Sequence, residues 1–150
     1  YAGADYVDDE LVGWSRFSAE QRDQQSLMAV KQNVKLLNDN IVKYTVVEAL
    51  KKIMAKRSLS VDAIEYFLPH YSSEFFRTPL AQGLAEVNLA IPQERWFTNL
   101  TSKGNTGSAS IFIILEELFN AQRLAVGERI LCYIPESGRF SSAFMHLTVV

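Results

Sequence analysis

The sequence predicts an α/β domain built on a largely parallel sheet. Three features carry that prediction. Short apolar runs, "IEYFLP", "RWFTNL" and "RILCYI", alternate with stretches of helical period. Each run is of strand length and is bounded by turn-forming or polar residues. The last two runs, "RILCYI" and "FSSAFMHLTVV", are separated only by "PESGR", a loop too short for a crossover, so they should pair antiparallel.

Taken in order, residues 1–25 are polar and mixed and read mostly as loop, with the acidic trio Asp8, Asp9 and Glu10 as a solvated turn. From residue 25 to 37 the pattern turns helical, because Leu27, Val30, Val34 and Leu37 recur at steps of three and four. "LNDN" at 37–40 interrupts it, and Asn38 to Asn40 suit an end and a new start. A second helix is expected over 41–56, with Val42, Val46, Ala49, Leu50, Ile53 and Met54 as its apolar stripe. "IEYFLP" follows as a short buried strand. Pro69 ends it, since proline has no N–H for a ladder. Ser72 and Ser73 are N-cap candidates for a helix over 74–87, and Pro79 within it predicts a bend or break near Thr78. "RWFTNL" reads as the second strand. A glycine turn, "GNTG", opens a helix that runs to about Ala121, and "VGE" turns into the third strand. No repeat, low-complexity tract or interdomain linker is visible.

The totals set limits. A chain of 150 residues can bury one real core. Its hydrophobic fraction of 48% and charged fraction of 21% are those of an ordinary folded domain. No stretch reaches the ~18 apolar residues of a membrane span, and "YAGADYVDDE" lacks the pattern of a secretory leader. The net charge of −2 argues against a nucleic-acid binder. Cys132 stands alone, which excludes an internal disulfide and fits a reducing cytoplasm. His70 and His146 are far apart and show no zinc spacing, so neither metal nor cofactor is expected. The chain begins with Tyr1 rather than Met, which is expected of a piece of something longer.

Two polar side chains stand where an α/β site would need them. His70 directly follows "IEYFLP", and Asn105 sits in the glycine turn a few residues past "RWFTNL". In open α/β sheets, ligands gather at the carboxyl ends of parallel strands. If the two strands are neighbours, the side chains could converge. Gly104 and Gly107 would then let the backbone take positive φ and let a ligand approach without a Cβ in the way. The Asn105 amide and the His70 imidazole would offer two donors to one oxygen that gains negative charge during reaction. A structural reading stands beside this one: strand-end histidines are usually hydrogen-bonded scaffolding, and a Gly-Asn-Thr-Gly turn usually just starts a helix.

"VEALKKIM…LSVDAIEYFLPHYSS", "IPQERWFTNLTSKGNTGSASIFIILEEL" and "RLAVGERILCYIPESGRFSSAFMHLTVV" together resemble the C-terminal half of type III β-ketoacyl-acyl-carrier-protein synthases, which are thiolase-fold condensing enzymes. The likeness covers about residues 27–150, and loosely the whole chain. It implies the C-terminal half of a thiolase-like fold over 1–150, with a mixed, mostly parallel sheet and helices on both faces. By the same resemblance, His70 and Asn105 match the catalytic His and Asn that bind the extender thioester, typically malonyl, and stabilise the enolate formed on decarboxylation. Gly138 resembles the loop glycine whose N–H helps form the acyl oxyanion hole. Ser73 and Phe76 are expected beside the substrate. The implied partners are an acyl-coenzyme A or acyl-carrier-protein thioester, a missing N-terminal half carrying the nucleophilic cysteine, and a second copy in a homodimer.

The motif also departs from the family. Where the family reads His-Gln-x-Asn, this chain reads His70-Tyr71-Ser72-Ser73, and the closing glycine-rich loop is reduced to "PESGR". Cys132 lies mid-strand among apolar residues, with no helix N-terminus to lower its pKa, and is read as a small buried hydrophobe. Without the other half, the chain should be inactive and should associate through an exposed sheet edge and apolar face. The departures point to a specialised polyketide or dialkylresorcinol-type enzyme as an alternative. A plant-type polyketide synthase and a non-catalytic acyl-binding paralogue are the other rivals. Lys51, Lys52, Lys56 and Arg57 read as a solvated helix end rather than a docking patch. Phe75, Trp14, Trp96 and His146 are read as structural.

Overall fold

The computed structural model describes residues 1–121 and 123–150. Two compact units divide the chain, Tyr1–Leu37 and Asn38–Val150.

The first unit is more ordered than its polar sequence suggests. Strands β1 (Ala4–Val7) and β2 (Glu10–Gly13) pair antiparallel with Ala4 opposite Gly13. Asp8 and Asp9 connect them with φ of 51° and 65°, the left-handed geometry that a tight hairpin requires. Aspartate reaches that region more readily than most residues but is not the usual Asn-Gly signal, and the hairpin therefore replaces the loop expected over 1–25. Helix α1 (Ala19–Gln24) starts with a capping box: the Ser18 hydroxyl accepts from the Gln21 N–H, and the Gln21 side chain accepts from the Ser18 N–H. Residues 25–33 are not helical. Leu27 is buried, but Met28 and Val30 are exposed, so the apparent stripe was no single face.

The expected interruption at "LNDN" is also absent. Helix α2 (Val34–Val42) runs through it into a π-helical turn, Lys43–Val47, and on into α3 (Glu48–Met54). The cause of the widened turn sits at Thr45. Its hydroxyl donates to the Ile41 carbonyl at 2.5 Å, so the Tyr133 hydroxyl, 2.6 Å away, must be the donor of their shared bond. Ser142 donates in turn to the Thr45 carbonyl at 2.7 Å. This buried set fixes the turn to the sheet, and a wide turn frees the backbone groups that it uses.

The sheet has strand order β3 (Tyr66–Pro69), β4 (Arg129–Glu136), β5 (Ser141–Thr148). β3 and β4 are parallel, and β4 and β5 are antiparallel, as their connections require. The strand expected at "RWFTNL" is only a single parallel bridge, Phe67 to Trp96, with the Phe97 N–H donating to the Phe67 carbonyl at 2.9 Å. A 3-10 turn, Gln93–Arg95, ends just before it, and the buried Asn99 turns the chain away just after.

Side-chain alternation divides the sheet's two faces. Phe67, Leu131 and Tyr133 face a core shared with Val46, Leu50, Leu80 and Leu84, the last two from α4 (Arg77–Glu86). Leu68, Ile130 and Cys132 face Ile111, Ile114 and Leu118 of helix α6 (Ser110–Asn120). The short α5 (Leu100–Lys103) precedes the glycine turn. Helices thus cover both faces of a mixed sheet. Pro79 neither bends nor breaks α4. It lies in the first turn, where its missing N–H has no intrahelical partner to lose. The change of geometry falls earlier, where a 3-10 turn, Glu74–Phe76, gives way to α4. No helix among the described residues is long and apolar enough to cross a membrane.

Candidate active site

His70 continues the line of β3, its N–H donating to the Tyr133 carbonyl at 2.9 Å. Alternation then puts His70 on the face of Leu68 and Cys132, the face that α6 covers. It is half-buried, and burial holds its imidazole below the ordinary pKa of 6.5, so the ring is neutral at pH 7. No buried side-chain nitrogen among the described residues lacks a partner, and no bond engages the His70 ring. Its nitrogens are therefore open to incoming molecules rather than committed to the scaffold.

Helix α6 runs opposite to β3. The Tyr66 hydroxyl, at the start of β3, donates to the Arg123 carbonyl beyond the end of α6 at 3.2 Å. The amino end of α6 consequently lies towards the carboxyl end of β3, where His70 is. Gly104 and Gly107 take φ of 74° and 62° there, which is the conformational freedom expected of them. Between them, the side-chain Oδ1 of Asn105 accepts from the Gly107 N–H at 2.9 Å. That bond fixes the plane of the amide, and no described residue accepts from its NH₂. Thr106 is tied to Ser110 through its N–H at 3.0 Å and its hydroxyl at 2.9 Å, which clamps the turn to the first residue of α6. His70 and Asn105 are thus both donors without acceptors, and the turn that carries Asn105 leads into the end of α6 that lies towards His70.

The remaining expected site residues have other occupations. The Gly138 N–H donates to Glu136 Oε1 at 2.8 Å and the Arg139 N–H to Oε2 at 2.9 Å, so the carboxylate fills the place where an acyl oxygen was expected. Ser73 caps the turn ahead of α4 by accepting from the Phe75 N–H at 3.3 Å. Phe76 packs on the core beneath that turn, edge-on to the exposed Phe75. Cys132 is fully buried, and burial pushes its thiol up to about 11. His146 bonds the Ala63 carbonyl at 3.3 Å. Trp96 donates to the Ile91 carbonyl at 3.0 Å. No group of His, Cys, Asp and Glu among the described residues is arranged to hold a metal ion.

One cluster escaped the sequence reading. Tyr71, directly after His70, faces the opposite side and is buried. Its hydroxyl donates to Glu74 at 3.3 Å and accepts from Arg77 Nη1 at 3.3 Å, while Arg77 Nε reaches Gln93 at 3.0 Å and its guanidinium lies over Trp96. The set anchors the backbone that carries His70. The period-two continuation of "YFLPHY" was the one signal for it.

The profile of the family 3-oxoacyl-[acyl-carrier-protein] synthase III, C-terminal, matches residues 54–135, more than half of the chain and a span that includes both His70 and Asn105. The chain belongs to that family. Among curated proteins, the β-ketoacyl-[acyl-carrier-protein] synthase III of Acholeplasma laidlawii is 29% identical over 104 residues, covering 67% of this chain and 32% of the relative. That of Rubrobacter xylanophilus is 32% identical over 73 residues, covering 49% of this chain and 22% of the relative. This chain therefore spans a third or less of these synthase III relatives. Among solved structures, the synthase III of Thermus thermophilus aligns with a TM-score of 0.57 at 25% identity, over 81% of this chain and 35% of that one. OleA of Xanthomonas campestris aligns with a TM-score of 0.61 at 19% identity, over 99% of this chain and 35% of that one, a likeness of fold. The fold is thus that of the C-terminal part of the synthase III and OleA structures.

Proposed function

We propose that this chain is the C-terminal half of a condensing enzyme that joins an acyl thioester to a malonyl-type thioester. Loss of CO₂ from the malonyl group leaves an enolate whose oxygen bears the developing charge. The His70 imidazole N–H and the Asn105 amide each donate to that oxygen. The enolate carbon then attacks the carbonyl of an acyl group held on a cysteine of the N-terminal half. A carbon–carbon bond forms, and the cysteine thiolate leaves. Two preset donors at an oxyanion stabilise a transition state because they need no reorganisation as charge develops.

The observation that supports this reading is that the family match contains two donors without acceptors, one a half-buried neutral imidazole at the end of β3 and the other an amide oriented by its own turn ahead of α6. Gly138 can serve the acyl oxygen only when the Glu136 carboxylate moves away. Ser73 stays in the proposal as a residue bordering the substrate, whereas Phe76 packs on the core of the face opposite His70. The substrates, coenzyme A or carrier-protein thioesters, and the homodimer belong to the same proposal, as does a reducing cytoplasm for the lone Cys132. No cofactor is called for.

The test uses the polypeptide that joins this chain to its N-terminal half. His70→Ala and Asn105→Ala should each lower malonyl decarboxylation and condensation by about 10²–10³, the usual effect of losing one oxyanion donor, while leaving acyl loading on the cysteine intact. Unchanged condensation in both variants would sink the assignment. A wild-type protein that binds acyl thioesters without turning them over would favour the acyl-binding paralogue instead. The substitution of Tyr71 and Ser73 into the His-Gln-x-Asn pattern supports a second reading, a specialised polyketide or dialkylresorcinol-type enzyme, because the buried Tyr71–Arg77 set replaces a small amide network next to His70.

A further inference from the structure

We propose that a pocket at the opposite end of the β3–β4 pair from His70 binds a phosphomonoester. It is an open groove of about 380 Å³ between the end of α3 and the start of β4, with Arg57, Ser58 and Ser60 exposed at its rim. Arg57 and Arg129 line it. Three arginines elsewhere spend their guanidinium groups internally, Arg22 on the Phe17 carbonyl, Arg77 on Gln93 and Tyr71, and Arg95 on the carbonyls of Val61 and Ile64, whereas, among the described residues, Arg16, Arg123 and Arg139 do not but line no such pocket. Among the described residues, neither Arg57 nor Arg129 has an acceptor for its guanidinium, and the ion pairs present involve only Lys31 and Lys51. An anion in the pocket would give both guanidinium groups an acceptor that the chain itself does not supply.

The chemistry of the lining selects the anion. Ser58 and Ser60 add hydroxyl donors to the two forks. That set offers more donors than a carboxylate can accept, and two guanidinium forks with two hydroxyls suit the several oxygens of a phosphate. Met54, Leu59 and Ala63 supply an apolar wall. A volume at the low end of the ~300–1,000 Å³ range of small-molecule sites leaves room for a short organic group beside the phosphate. Two features oppose binding. The carboxyl end of α3 carries about half a negative charge, and the Glu65 carboxylate, which accepts from the Arg129 N–H at 2.6 Å, adds one more. Two cations outweigh them by about half a charge, so the expected affinity is modest, on the order of 1 mM.

The site is separate from the proposed condensation chemistry. Arg129 opens β4, whereas His70 is bonded at Tyr133, four residues and about 13 Å further along at the ordinary strand rise. The inference therefore stands whether or not His70 and Asn105 act on a thioester.

Calorimetric titration at fixed ionic strength tests it, with n-butyl phosphate, inorganic phosphate and sodium butyrate as probes. n-Butyl phosphate should bind tightest and butyrate weakest. Arg57→Gln and Arg129→Gln should each weaken n-butyl phosphate at least about tenfold, the scale of losing one charge-assisted bidentate contact. Leu59→Ser should weaken n-butyl phosphate but leave inorganic phosphate within about twofold, which separates the wall from the anion cradle. Circular dichroism checks that each variant is folded, and Arg57→Lys gives a milder change at the more exposed position. Three results overturn the proposal: no saturable binding of n-butyl phosphate up to about 20 mM, butyrate binding as well as n-butyl phosphate, or folded glutamine variants that bind like the wild type.

Discussion

An imidazole at a strand end can be scaffold or chemistry, and its protonation separates the two. His70 lacks any carboxylate partner, and burial alone shifts it, so the neutral ring is favoured. A nuclear magnetic resonance titration of its ring protons should give a midpoint below 6.5; a midpoint at or above that value would mean that an unseen anion holds the ring charged. The sign for stability follows. The unfolded imidazole takes up a proton before the folded one, so His70 costs stability as pH falls below 6.5 and costs nothing above it. Cys132 gives the mirror case. Its thiol stays protonated up to about 11 in the fold, against 9.0 without burial. Between those values the unfolded chain releases the proton first, and stability falls as pH rises, by up to about 2–3 kcal/mol. Tyr133, also raised by burial, adds the same sign at higher pH. Denaturant melts of wild type and Cys132→Ala from pH 8 to 11 should therefore converge as pH rises, and parallel curves would contradict a buried neutral thiol. His70 and Asn105 stand out in the sequence because a strand end and a glycine turn are local events, whereas the Glu136 carboxylate over Gly138 depends on a rotamer that no spacing encodes.

At the scale of elements, α4 and the helical run beneath it meet at a glycine. A Cβ on Gly83 would stand 2.6 Å from Val42 Cγ1. Val42 is β-branched and held in a helix, so it has little freedom to turn aside. Gly83→Ala would gain up to ~1 kcal/mol of helix propensity, but overlap in a packed core costs about 1–3 kcal/mol. The expected result is a lower midpoint in thermal unfolding, by a few degrees, and an unchanged or higher midpoint would show that the helices can part. Element type was readable where burial and period agreed, as in β3, β4, β5 and α6. It failed where a tertiary contact overruled local signals. "LNDN" looks like a break, yet the helix passes through it because Thr45, a short way further along the same helical run, is bonded to Tyr133 of β4. "RWFTNL" has strand composition, yet Asn99 is drawn off to Glu117 on α6 at 2.6 Å, and the pairing stops after one bridge. The hairpin of the first unit was missed because two aspartates take the place of the usual glycine.

For the whole molecule, the informative surface is the outer side of α6. Ile111, Ile114 and Leu118 bury one side against the sheet, yet Phe112 and Phe119 on another are 65% and 70% exposed. Seven residues apart, they lie on one line along the helix. A helix that is apolar on more than one side belongs in an interior, since two exposed phenylalanines leave a few kcal/mol of hydrophobic stabilisation unclaimed, at about 2 kcal/mol for each side chain covered. The family match is to a C-terminal region, and the chain accounts for only 32% and 22% of two relatives' lengths, so an N-terminal half is the occupant that we propose for this face. The chain by itself should then self-associate and bind a dye that reports exposed apolar surface. Phe112→Glu together with Phe119→Glu should shift it to a monomer in size-exclusion chromatography and remove most of the dye signal, with far-ultraviolet circular dichroism unchanged. Joined to its N-terminal half, the same double variant should lose stability, because two carboxylates would be buried without partners. If the wild-type chain is already a dye-silent monomer, or if the joined double variant is as stable as its parent, α6 faces solvent in the working protein. The cysteine and the two donors would then have no common wall through which to share a substrate.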